Sequence, residues 1–512
     1  MVLDYVVLAI YALMMIGVAF YIKNRSKSVD DFLLAGKKGL NGWMTAFSYG
    51  TTYFSAVIFI GYAGQFGRAY GLASVWIGVG NAIIGTLLAW LVLAKRTKNM
   101  TARLQSKTMP DFFEKRYGSK SLKILSAIVI FLFLIPYSAS VYNGLSALFE
   151  TVFNIPGWIV MIALAVLTAI YLFFGGYFAA ALSDFIQGII MIVGVILMIV
   201  CLLNHQNVNW DISAIANNPQ LGWTTFNSSN TGLYDSTVSL LSLLLLTSLG
   251  VWALPQTVHK YYAIRDKKAI MQGVVVSTGF ALIIGFVAYF TGALSSLFPE
   301  LISISDSKVI PEMLKIAIPV GLTGVIAVLI LSASMSTLSS VSLASASVVA
   351  VDIYGKVKKG VSDKKVNTVM RVLCLVFIAI SVILAVLNEK FNITAIAYMM
   401  GISWGTLAGC FIGPYVLGVI WKGVTKPAVW SSIISSLVLT VGLILFFGFH
   451  KNGFNCSLAL AIKSGISVSP MIGVICMISS LIITVVVSLF TKRPSDEILY
   501  NAFEKPIENE IK

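Results

Sequence analysis

The sequence predicts an all-α protein that crosses a membrane many times, and three observations carry that expectation. Of its 512 residues 58% are hydrophobic and only 11% are charged, with a mean hydropathy of +0.90. A water-soluble core of this length has no use for so much apolar surface. Apolar runs long enough to span a bilayer begin near Leu3, Trp43, Leu72, Leu122, Trp158, Asp184, Thr237, Gln272, Leu314, Val369, Ile393, Trp430 and Pro470, thirteen in all. With the N-terminus outside, Lys23–Lys38, Lys95–Lys123, Lys260–Lys268, Lys356–Arg371, Lys422–Lys426 and the segment after Thr491 place 30 of the 36 Lys and Arg on the cytoplasmic side, as basic residues in inside-facing loops should.

The expected organisation is a first span with its loop (1–42), five spans (43–204), an external loop (205–236), five more spans (237–421), two further spans (422–490) and a cytoplasmic tail (491–512). The first run has neither a charged leader nor a small-residue cleavage site and reads as a retained span. The second run carries Gly50–Thr51–Thr52 at its middle. The fifth and sixth meet at Gly175–Gly176, followed by Asp184 and Gln187. In the seventh, Gly250 and Pro255 bracket the centre. These two interrupted runs open successive groups of five spans. An odd number of helices per group turns the second group over, and broken helices at matching places in inverted repeats mark a midplane site. The repeat rests on layout, not on residue identity between the halves.

The ninth run, VLILSASMSTLSSVSLASAS from Val328 to Ser347, is apolar yet crowded with hydroxyls. At 100° per residue Ala333, Ser336, Thr337, Ser339 and Ser340 share one broad face. That face reads either as small-residue helix packing or as a lining of neutral oxygens for a hard cation. Asp184 has two readings as well: a helix N-cap, or an intramembrane acid with a cation as partner.

Other classes lack their signatures. The net charge of +15 resides in loops, so no nucleic acid is expected. Five separated cysteines without a CxxC, and three scattered histidines, give neither a disulfide framework nor a metal cluster. There is no GxxxxGK[ST] loop for a nucleotide-driven pump and no charged ring or filter for a channel. The tail is too short for the signalling domain of a membrane sensor. Neither an enzyme nor a cofactor is expected.

The run GGxxAxxxSDxxQ (Gly175 to Gln187), the segment SxSTLSS (Ser334 to Ser340) and the stretch Met109 to Ser140 resemble the sodium/solute symporter family, nearest its proline/pantothenate branch. The resemblance implies thirteen transmembrane helices with an inverted five-plus-five core, a leucine-transporter-like fold, and import of a small organic solute by alternating access with Na+ as coupling ion. It also implies a monomeric working unit in the cell membrane lipid bilayer. Carried over residue by residue, a first sodium site takes the carbonyls of Thr51, Phe54 and Ala333 with the hydroxyls of Ser336 and Thr337. A second takes Asp184, Ser339 and Ser340, giving two sodium ions per solute. Proline carriers have an acid where this chain has Tyr53, and Trp and Tyr where it has Thr247 and Val251, while Tyr137 matches their binding tyrosine. The fourth run lacks the arginine of sialic-acid carriers, and the third offers Asn81 and Thr86 where sugar carriers use a glutamate. The expected pocket is therefore Thr52, Ser55, Tyr137, Thr247 and Trp252, suited to an amino acid, carboxylate or related compound. Proton coupling through Asp184 is the alternative on the same fold.

Overall fold

The computed structural model describes residues 2–22, 28–34, 40–219, 221–223, 236–355 and 361–507. Most of the expected basic loop Lys23–Lys38, residues 356–360, part of the 205–236 loop and the end of the tail lie outside them. The described residues are helical throughout, apart from connections and one isolated bridge between Leu40 and Ile264. Among them ten helices are long and apolar enough to cross a membrane, or eleven if one bent pair counts as a single span.

In chain order the main elements are α1 (Val2–Ile22), α2 (Gly42–Tyr53), α3 (Val57–Gly67), α4 (residues 75–104), α5 (Met109–Tyr117), α6 (Lys120–Phe153) and α7 (Gly157–Asn204). They continue with α8 (Ser236–Leu249), α9 (Pro255–Tyr262), α10 (Lys267–Leu294), α11 (Asp306–Ala317) and α12 (Thr323–Ser347). Last come α13 (Asp363–Phe391), α14 (Ile396–Phe411), α15 (Lys426–Lys451) and α16 (Ser469–Phe490). Two continuous helical stretches, Val57–Leu104 and Gly157–Asn204, each run 48 residues. At 1.5 Å per residue that is about 72 Å, more than twice a hydrocarbon core. Each contains a glycine that turns the chain: Gly71 at φ 54° and Gly176 at φ 61°. A Cβ on Gly71 would lie 2.2 Å from the Leu221 carbonyl oxygen, and one on Gly176 2.6 Å from the Phe32 ring. Both close approaches need the missing side chain.

The hydroxyl-rich α12 lies at the centre, packed most extensively against α7 and also against α6, α1 and α13. With α14 it is almost wholly buried, whereas α1 and α15 turn most of their surface outward. Its hydroxyls are made compatible with burial by bonding back along the helix: Ser334 to the Ile330 carbonyl at 2.7 Å, Ser339 to Ser336 at 2.9 Å and Ser347 to Ala344 at 2.8 Å.

Two expected boundaries move. The run expected to begin near Leu314 divides into α11 and α12, because Ile318 is extended and Gly321 sits at φ 96°. The Asp4 carboxylate of α1 then accepts the Gly324 N–H at 2.7 Å and caps the start of α12. The run expected to begin near Asp184 starts instead at the Gly176 break. Asp184 therefore sits two turns inside a helix, and the N-cap reading fails.

At one end, Lys123 Nζ is buried within 2.6 Å of Asp111, 2.9 Å of Glu114 and 3.1 Å of Asp352. Thr108 donates to the same Asp352 at 2.6 Å. This cluster ties α5 to α6 and to the helical extension of α12. Burial pushes the Asp111 carboxyl up, but the ammonium groups of Lys123 and Lys115 outweigh it and hold the group below the ordinary carboxylate value.

Gly176→Ala is expected to destabilise the protein by about 1–3 kcal/mol, since it adds both a strained backbone and a clash. Gly279→Ala, in α10 with nothing within 4 Å of its Cβ position, serves as the helix-favouring control. Melting temperatures in detergent should fall for the first variant only; equal melting temperatures would refute the argument.

Candidate functional site

α2 is capped by Asn41, whose side chain accepts the Met44 N–H at 2.8 Å, and ends at Tyr53. Phe54 is extended (φ −105°, ψ 112°). Ser55 restarts the chain: its hydroxyl accepts the Val57 N–H at 3.3 Å and its carbonyl the Ile58 N–H at 3.0 Å. Interrupting a helix releases carbonyls from the intrahelical ladder. Here they meet α12: Ser336 donates to the Thr51 carbonyl at 3.1 Å and Thr337 to the Thr52 carbonyl at 3.3 Å. The Ala333 carbonyl accepts both hydroxyls at 3.1 Å. The structure thus brings together Thr51, Ala333, Ser336 and Thr337, with Phe54 at the break beside them and Thr52 as an addition. All are buried, and the cluster presents neutral oxygens only.

The second break lies between α8 and α9. A tight turn spans Gly250–Ala253, Leu254 is extended (φ −74°, ψ 124°), and Pro255 opens α9. The two halves bend by 43°. α9 carries Lys260 into the interior, where only 1% of the residue is exposed. Its Nζ donates to Ser48 and to Ser340, each at 2.8 Å, and lies 3.5 Å from Asp184 Oδ2. It also sits 5.2 Å from the centre of the Tyr177 ring. Ser48 donates to Asp184 Oδ2 at 2.5 Å. Of the residues expected to hold a second sodium ion, Asp184 and Ser340 share this ammonium, while Ser339 bonds to its own helix. Two unit charges about 4 Å apart interact by about 4 kcal/mol at an effective dielectric constant of about 20. The ammonium attracts the carboxylate and repels a further cation by comparable amounts.

Thr52 joins the two clusters. Its carbonyl accepts Thr337, while its hydroxyl donates to the Ser48 carbonyl at 2.6 Å and contacts the Ser340 hydroxyl at 2.8 Å. Tyr137 packs edge-on against Trp404, ring centres 5.5 Å apart. Its hydroxyl lies among Ser55, Thr337 and Trp404 without a well-formed hydrogen bond to any. Thr247 and Trp252 face elsewhere: Thr247 donates to Asn81 Oδ1 at 2.8 Å and Trp252 to the Ile84 carbonyl at 2.9 Å, both on α4. Tyr53 donates to the Thr247 carbonyl at 2.6 Å while its ring lies 6.1 Å from that of Trp404, on the Tyr137 side. Of the five expected pocket residues, Ser55 and Tyr137 lie together, Thr52 borders them only through its carbonyl on Thr337 while its hydroxyl turns to Ser340, and Thr247 and Trp252 turn to α4.

Lys260 and Trp404 are functional candidates that the sequence does not point to. By its neighbours Lys260 reads as part of a basic loop; the one local signal is Pro255, which opens a helix long enough to carry the lysine inward. Trp404 stands in an ordinary apolar run and gave no signal.

Comparison with known proteins identifies the family and the fold. A family model described as the sodium:solute symporter family matches residues 32–435. The chain is 28% identical over 507 residues to the osmoregulated proline transporter OpuE of Bacillus subtilis, covering 95% of each. It is 25% identical over 515 residues to the sodium/proline symporter of Staphylococcus aureus, covering 96% of this chain and 93% of that one. Among solved structures, a Na+-coupled sialic acid symporter in a substrate-bound, outward-open state superposes with a TM-score of 0.77 at 19% identity, over 96% of this chain and 99% of the other. That likeness carries the fold.

Asp184→Ala leaves the Lys260 ammonium buried without its carboxylate, a loss of about 3–5 kcal/mol. Combining it with Lys260→Met removes both charges and should recover much of that loss. In sodium-free detergent, Asp184→Ala should melt well below the double variant; equal melting would mean that the two groups do not stabilise one another.

Proposed function

The chain belongs to the sodium:solute symporter family, whose members are transporters and not enzymes, and from this we propose that it imports a small organic solute by alternating access on a sodium gradient. Thirteen crossings in two inverted groups of five, plus flanking helices, is the arrangement we infer. The breaks at Gly71 and Gly176 support it, since each divides a stretch twice too long for one crossing. The bias of Lys and Arg supports an external N-terminus and a cytoplasmic C-terminus. A single chain in the cell membrane is the working unit in this reading.

The observation that carries the proposal is the meeting of the interrupted second span with α12. Carbonyls of Thr51, Thr52 and Ala333 and hydroxyls of Ser336 and Thr337 converge within hydrogen-bonding distance. We assign the first sodium site there, with the Phe54 carbonyl completing it. A hard cation is matched by such oxygens, which replace its hydration shell.

The solute site is proposed beside it, around Thr52, Ser55 and Tyr137, with Trp404 and Tyr53 as aromatic walls. A buried phenol without a partner is costly, so the Tyr137 hydroxyl is the group we assign to the solute's polar end. This favours an amino acid or small carboxylate, its charge met by the adjacent sodium and by helix ends. Proline, which the Bacillus subtilis and Staphylococcus aureus relatives transport, is of that size. Tyr53, Thr247 and Val251 stand where proline carriers have other residues, so the wall of this pocket is not that of a proline carrier.

The experiment is uptake into proteoliposomes of a panel of labelled amino acids, carboxylates and sugars, with an imposed sodium gradient and choline as the replacement cation at fixed pH. Uptake should require sodium and favour a small acid or amino acid. Comparable uptake of glucose or galactose, or uptake unchanged in choline, would overturn the reading.

Ser336→Ala and Thr337→Ala should each raise the half-saturating sodium concentration by roughly tenfold, the effect of about 1.4 kcal/mol, with protein still reaching the membrane. Tyr137→Phe should raise the solute KM by a similar factor while leaving sodium dependence near wild type. Wild-type sodium curves for both α12 variants would make their hydroxyl face a packing surface.

A further inference from the structure

We propose that the Lys260 ammonium is a built-in cation standing where a second transported sodium ion would sit, so that this chain couples one sodium ion to each solute. The proposal rests on the symport reading and adds its stoichiometry.

The chemistry of the cluster supports the assignment. The residues that a second ion would use are present, but they do not fit an ion as arranged. Lys260 Nζ takes the Ser48 and Ser340 hydroxyls at 2.8 Å each and faces Asp184 Oδ2 at 3.5 Å. An ammonium has three donors and no acceptor, and here two hydroxyls and a carboxylate surround it, with the Tyr177 ring against its charge. That is the coordination a small cation would ask for, met by a covalently attached one. Asp184 and Lys260 form a pair of net charge zero. A sodium ion added to the same carboxylate would leave an uncompensated positive charge in a buried, low-dielectric site, next to an ammonium that cannot leave. Ser339, the remaining expected ligand, directs its hydroxyl to the Ser336 carbonyl at 2.9 Å.

Placement gives the ammonium a purpose beyond neutralising Asp184. It joins four elements, α2 through Ser48, α7 through Asp184, α9 through its own backbone and α12 through Ser340. A free ion would hold these together only while bound. A lysine holds them at every stage of the cycle in which α9 stays in place, and does so independently of the sodium concentration.

The test counts sodium on purified full-length protein, using radioactive sodium as the only probe so that no solute is needed. Equilibrium binding at fixed pH should give one ion per wild-type chain. Lys260→Met leaves Asp184 without its counter-charge and opens the space, so it should bind two. Lys260→Met combined with Asp184→Asn removes the carboxylate that draws the second ion and should return to one, and Lys260→Arg should stay at one. Two ions on the wild type would overturn the proposal while leaving symport intact. A single ion on Lys260→Met, with wild-type affinity, would overturn it too. If Lys260→Met is not recovered as monodisperse protein, Lys260→Gln, whose amide still reaches the hydroxyls, is read in its place with the same two outcomes. Sodium binding that Ser336→Ala and Thr337→Ala leave untouched is a different failure, of the first site and not of the lysine.

Discussion

Every polar backbone group inside a bilayer must find its partner within the protein, and the interrupted helix at Phe54 is where that constraint governs this structure. Ending α2 at Tyr53 frees carbonyls that a continuous helix would have used. Only an element with polar side chains and little bulk can approach closely enough to answer them. α12 is that element, and its position at the centre follows from the requirement. Its serines and threonine satisfy themselves along their own helix and satisfy α2 at the same time, as the shared Ala333 carbonyl illustrates. The hydroxyl face is therefore a packing surface and an oxygen cluster at once.

The charged groups obey a harsher version of the same constraint. Asp184 is wholly buried and Lys260 almost so. Each alone would carry a large desolvation cost; together, with Ser48 and Ser340 supplying hydrogen bonds, they form a neutral unit. Such a unit is not evidence of high stability, because well-packed apolar residues would serve that end as well. Its use lies in joining helices from both halves of the chain at a defined point.

Much of this was legible in the sequence. The all-helical membrane character, the breaks near Gly50 and Gly250, the Gly175–Gly176 turn and the hydroxyl-rich helix all follow from local chemistry, and the structure displays each. What was not legible depends on geometry beyond one helix. Lys260 looks like a loop residue because it lies between apolar runs and precedes Arg265 and Lys267; the Leu254–Pro255 bend that carries it inward is a tertiary fact. Asp184 resembles a cap because an apolar run follows it, yet the helix starts eight residues earlier, where Gly176 alone tolerates the turn. Thr247 and Trp252 sit on the interrupted seventh span as expected, but Asn81 and the Ile84 carbonyl draw them towards α4. Their direction is set by partners that no local pattern reveals.

A tethered cation changes what the gradient can do. A tenfold sodium ratio is worth about 1.4 kcal/mol, and a membrane potential of 100 mV about 2.3 kcal/mol per charge. One sodium ion then supplies about 3.7 kcal/mol, enough to hold a neutral solute at a ratio of roughly 500. Two ions would square that ratio, to about 3 × 10⁵. The proposed one-ion coupling would give up scavenging of trace solutes in return for a cycle that needs a single sodium ion. Thr52 shows how the lysine still takes part: it touches Thr337 with its carbonyl and Ser340 with its hydroxyl. A movement of the second span that loosens the sodium cluster must also strain the contact to the ammonium.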